Sequence, residues 1–167
     1  ARLLGVEATD ELRVVAANDH CFPAALAGEC PGVDPKAILA MKVANIAAGN
    51  KIPVAEVEAQ IEELGAIIDL RQPIDFGGQK VYDLRDLDMG EGYNPHFLSL
   101  QVAASVRGTA VLMSAKDKNS PQKKMTLSGY NKPATVTFFM DVWGPENGLT
   151  GIYGAPARGY AGGYVKP

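Results

Sequence analysis

The alternation of apolar and polar positions is clearest between residues 97 and 143. Leu98, Leu100, Val102, Ala104 and Val106 take turns with Ser99, Gln101, Ala103 and Ser105. Ala134, Val136, Phe138, Met140 and Val142 do the same against Thr135, Thr137 and Asp141, with Phe139 the one exception. A period of two predicts strands with one face on a core and the other wetter. The alternation stops at Arg107-Gly108, and residues 110–113 are apolar throughout. That change predicts a bulge or tight turn leading into a strand buried on both faces. A polar loop over residues 116–122, a short strand over 125–130 and a turn at Asn131-Lys132-Pro133 complete an antiparallel meander.

Ahead of this stretch the period changes to that of helices. Asp34-Pro35 supplies an N-cap with proline at the first helical position, and Gly49-Asn50 supplies a stop. Between them Ile38, Leu39, Met41, Val43 and Ile46 leave little polar face, so this helix is expected to be covered on more than one side. Pro53 opens a second helix with the stripe Val54, Val57, Ile61 and Leu64, a face of glutamates and an end at Gly65. The short connection makes residues 34–65 an antiparallel helical hairpin. Residues 66–70 and 80–84, around Gly77-Gly78, predict a loose β-hairpin, followed by a loop over residues 86–95.

The ends read differently. Residues 1–33 combine short apolar runs, Leu3-Leu4 among them, with turn formers. Thr9 or Asp10 suits a helix cap, Val14-Val15 suits a strand equally, and residues 18–34 read as a loop. Residues 144–167 hold seven glycines, three prolines and three tyrosines. Such a composition predicts an extended tail. Tyr153, Tyr160 and Tyr164, with Arg158, then become candidate partner-binding residues, because rigid aromatics on a pliant backbone suit docking. The whole is an α+β chain: an N-terminal arm (1–33), one domain (34–143, with the sheet in 97–143) and a C-terminal tail (144–167).

At 167 residues the chain is large enough for one domain with its own core. No apolar run approaches about eighteen residues, so no membrane-spanning segment is expected. The net charge of −3 conceals an asymmetry, since residues 1–100 hold 16 acids and 8 bases while residues 101–167 hold 3 acids and 8 bases. Opposed charge suggests two regions that attract each other or meet different partners. The chain starts at Ala1 rather than Met, as expected of a processed or trimmed form.

Candidate chemistry is sparse. Cys21 and Cys30 are separated by eight residues in a turn-rich segment. In an oxidising compartment, exported or organellar, they predict a disulfide contributing about 2–3 kcal/mol; in a reducing one they are two thiols. His20 adjoins Cys21, and only His96 adds a second imidazole, without the paired spacing of a zinc site. Asp83, Asp86, Asp88 and Glu91 form a carboxylate cluster, but the spacing is not that of a calcium loop. No phosphate-binding glycine loop, nucleophile elbow or glycosylation sequon occurs. No catalytic set, metal site or particular cofactor is therefore assigned.

Three functional readings follow. The first is a non-enzymatic subunit of a larger assembly, homo- or hetero-oligomeric, docking on protein partners through its terminal arms. The alternative is a small-molecule or cofactor-binding domain, enzymatic or not, with a pocket between helices and sheet. The third is nucleic-acid binding through the basic sheet region, where Arg107, Lys116, Lys118, Lys123, Lys124 and Lys132 lie near Phe138, Phe139 and Trp143.

Overall fold

The structure, a computed structural model, describes residues 9–92, 94–117 and 121–166. Leu3-Leu4, Lys118 and the Asn119-Ser120 pair of the expected loop lie outside them. The protein is α+β, with an open, mostly antiparallel six-stranded sheet.

Helix α1 (Asp10–His20) starts at Thr9, whose hydroxyl accepts from the Leu12 amide at 3.3 Å. A short helix α2 (Phe22–Leu26) follows where a loop was expected. Ala17, Phe22 and Ala25 are buried, so this described part of the N-terminal arm joins the core instead of resting outside it. Helix α3 (Pro35–Asn50) begins where Asp34 accepts from the Lys36 amide at 3.0 Å, and ends on Lys51 in the left-handed region. Helix α4 (Val54–Asp69) completes the expected hairpin. It does not stop at Gly65. Instead the absent side chain leaves room for Arg107, whose guanidinium crosses there to pair with both carboxylate oxygens of Asp69 at 2.9 Å.

Strands β1 (Ile74–Phe76) and β2 (Gln79–Asp83) form a hairpin closed by Gly77 and Gly78, both at positive φ. Residues 66–69 belong to α4, so the first strand falls later than its sequence run suggested. Helix α5 (Pro95–Val106) then crosses to β3 (Ala110–Lys116), which pairs parallel with β2. Strand β4 (Lys123–Gly129) returns antiparallel. Helix α6 (Pro133–Phe138), a π-helical turn (Phe139–Trp143) and one turn of helix, α7 (Gly144–Glu146), cover the sheet from the side opposite α1–α5. Strands β5 (Leu149–Ala155) and β6 (Tyr160–Val165) finish the order β1-β2-β3-β4-β6-β5.

Two expected strands are thus helices. Residues 98–106 form α5, capped by Asn94, which accepts from the Phe97 amide at 2.8 Å. Its alternation misled because the polar partners are buried too. Ser99 and Ser105 are in the core, and Ser105 donates to the Gln101 carbonyl of its own helix at 2.8 Å. Residues 134–142 form α6 and the π turn. Gln79 of β2 organises that start, accepting from the Lys132 amide at 3.1 Å and the Thr135 hydroxyl at 2.6 Å. A side chain remote in sequence decided what the local pattern left ambiguous.

The C-terminal segment is not an extended arm. Residues 149–165 are hydrogen-bonded into the sheet, and Leu149, Ile152 and Val165 pack on the core beneath α6. Its glycines serve close approach. Tyr153 is in register with Gly162, which has no side chain to hold the ring off the strand.

Gly129 ends β4 at φ +88, and a Cβ there would run into the Thr109 carbonyl oxygen and Ala104. Gly129→Ala is expected to lower stability in urea denaturation by about 2 kcal/mol or more. Gly49→Ala, in α3 with open space around it, should raise stability by roughly 0.5–1 kcal/mol.

Candidate functional site

The helical layer stops short of the sheet's edge, and a cleft of about 340 Å³ opens there. Its floor comes from β4. Lys124, Thr126 and Ser128 alternate with Met125 and Leu127, so the polar set faces the helices while the apolar pair packs on the second core. One wall is the end of α1 (Asn18, Asp19, His20) with Phe22 of α2 and Lys42 of α3. A second wall is α5, where Gln101 reaches the floor and donates to Ser128 Oγ at 3.2 Å. The rim is Tyr153, Arg158 and Tyr160.

Its polar groups are unevenly satisfied. Arg158 Nη2 donates to the Asp19 carbonyl at 2.7 Å, and its guanidinium stands 5.4 Å from the Tyr160 ring centroid. The Lys124 ammonium lies 5.0 Å from the Tyr153 ring, whose neighbour Tyr164 is 6.5 Å away centre to centre. Lys42 sits with its ammonium 5.2 Å from the Phe22 ring and makes no ion pair among the described residues. Burial pushes its pKa down, partly offset by Asp19. Thr126 is only 7% exposed, and among the described residues its hydroxyl has no partner and the buried side-chain oxygen of Asn18 has none either. An unpaired buried polar group costs about 1–3 kcal/mol, comparable to the worth of the bond a ligand would supply.

The charge of the cleft is one-sided. Lys42, Lys124 and Arg158 line it, and Asp19 is the single carboxylate among the described lining residues. Three of the four residues singled out for partner binding therefore meet here: Tyr153, Tyr160 and Arg158. Tyr164 lies one ring further along the same face. They are fixed to the sheet, facing a cleft of their own chain.

The other candidates fall elsewhere. Cys21 and Cys30 have their sulfurs 3.2 Å apart, in contact and not bonded. His96 stands on the first turn of α5 and does not line the cleft. Two of the four carboxylates of the cluster are paired with arginines. Arg85 donates to Asp83 at 2.8 and 2.5 Å, Arg71 to Asp86 at 2.7 Å, and Asp88 accepts from the Gly90 amide at 3.0 Å. Those guanidinium bonds hold the carboxyls of Asp83 and Asp86 below their ordinary range. Among the described residues no three of His, Cys, Asp and Glu are placed to hold a metal ion.

Lys42 and Thr126 escaped the sequence reading, although each left a trace. Lys42 is one of the few polar positions of an otherwise mostly apolar helix, and Lys124-Thr126-Ser128 is a polar period-two face on a strand. No protein-family model matches the chain, and no curated protein or solved structure is similar to it.

Lys42 makes a pH prediction. With its folded pKa below the ordinary 10.5, the unfolded chain holds the extra proton between the two values. Stability from this group then rises with pH across that window. Lys42→Met is expected to be more stable than the parent chain at neutral pH. The margin should shrink as pH approaches about 10.5, as followed by urea denaturation at a series of pH values.

Proposed function

We propose that the protein binds a small anionic ligand in the cleft between its helical layer and β4–β6. The observation that carries this reading is Thr126: a hydroxyl nine-tenths buried, without a partner, on the floor of a cleft lined by Lys42, Lys124 and Arg158. A carboxylate or phosphate oxygen accepts from that hydroxyl and is attracted by the three cations. The tyrosines at the rim supply apolar, rigid sides against which the rest of a ligand packs. The reading is one of ligand binding.

This is the pocket alternative raised by the sequence, made specific in place and charge. The subunit reading loses its structural motive at the C-terminal end, because the segment offered as a docking arm is two strands of the sheet. The nucleic-acid reading has less behind it as well. Arg107 is committed to Asp69, and Phe139 is fully buried on the opposite side of the sheet.

Calorimetric titration with inorganic phosphate and with citrate tests the proposal. At least one of the two should bind, with affinity falling as salt is added. Thr126→Val and Lys42→Met should each weaken it about tenfold, one hydrogen bond or one charge contact being worth about 1.4 kcal/mol. Binding that is equal in all three proteins would place the anion outside the cleft.

A further inference from the structure

We propose that Cys21 and Cys30 form a reversible dithiol–disulfide centre that clamps the joint between α1 and α2. This holds whether or not the neighbouring cleft takes an anion. The Cys21 amide donates to the Ala17 carbonyl at 2.9 Å and closes α1, while its carbonyl accepts from the Ala25 amide at 2.9 Å and opens α2. Gly28, at φ +79, then turns the chain back, and Glu29 donates to the Ala24 carbonyl at 2.9 Å. The ten residues form one compact return that brings the two half-buried thiols to 3.2 Å. A covalent bridge needs about 2.05 Å, so closing it draws the two sulfurs roughly 1 Å nearer.

The two sulfurs are not equivalent. Burial and the adjoining Cys21 push the Cys30 thiol up to about 11. Cys21 lines a surface depression with Glu29, Tyr130 and Arg158, where a reagent can reach it. With a low-molecular-weight disulfide as oxidant, the Cys21 thiolate attacks one of its sulfurs. The first S–S bond breaks and one thiolate leaves, giving a mixed disulfide on Cys21. Cys30 then loses its proton and attacks Cys21 Sγ, releasing the second thiol. Two protein thiols are oxidised and one small disulfide is reduced to two thiols. Because Asn18, Asp19 and His20 precede the joint and Phe22 follows it, the clamp fixes one wall of the cleft.

The full chain is titrated in buffers of increasing oxidised-to-reduced glutathione, quenched with acid and weighed intact. It is expected to lose the mass of two hydrogens and to keep no glutathione. Cleavage after Glu29 should leave fragments joined by the bridge, which reductant separates. Cys30→Ser should instead retain one glutathione on Cys21. Amide hydrogen exchange over residues 21–30 should slow in the oxidised chain. Stable glutathione on both cysteines of the parent chain, or two thiols still alkylatable in excess oxidised glutathione, would overturn the centre. A bridge without slower exchange would overturn the clamp.

Discussion

Strand β3 is buried along six consecutive residues, Ala110–Ala115, and the rest of the architecture answers that constraint. A strand apolar on both faces must be covered on both. Val111, Met113 and Ala115 meet the layer built from α1–α5, while Ala110 and Leu112 meet α6 and the π turn. Such a strand sits inside the sheet, with parallel β2 on one side and antiparallel β4 on the other. The parallel pairing requires a crossover, and α5 is that crossover. It is buried on most of its surface because it lies between the sheet and α4.

The cleft follows from a mismatch of widths. The helical layer covers β3 and reaches β4, but β6 and β5 extend the sheet beyond it. At that boundary β4 changes character between its faces, apolar below and Lys-Thr-Ser above. The glycines of β6 keep the strand thin, so that Tyr153 can lie over it and narrow the opening. Arg158 then binds the last turn of α1 from the sheet side and ties rim to wall. Polar residues on a sheet face usually meet bulk water; here Thr126 is buried without a partner among the described residues.

Legibility in the sequence tracked how local the deciding interaction was. The α3–α4 hairpin was readable, since its cap at Asp34, its prolines and its apolar stripe act within a few residues. The doubly buried strand at residues 110–113 was readable for the same reason. The helices at 98–106 and 134–142 were not, because alternation of small polar and apolar residues fits both periods. The choice was made by Asn94, by Gln79 from a distant strand and by burial of the serines. The tail's glycines looked like flexibility but are the close contacts of β5 and β6. Tyr153, Tyr160 and Arg158 were singled out for docking on a partner, as rigid aromatics and a cation on a glycine-rich backbone, and the fold gathers them at the rim of one cleft. Only the fold could show that they face Lys42 and Thr126.

The cleft's role is tested most directly by residue-resolved chemical shifts of the full chain during titration with phosphate. Saturable shifts are expected, concentrated at Asn18, Lys42, Thr126, Ser128 and Arg158, with surface lysines such as Lys51 and Lys80 unmoved. Shifts that never saturate, or that spread evenly over exposed lysines and leave Thr126 unchanged, would contradict it.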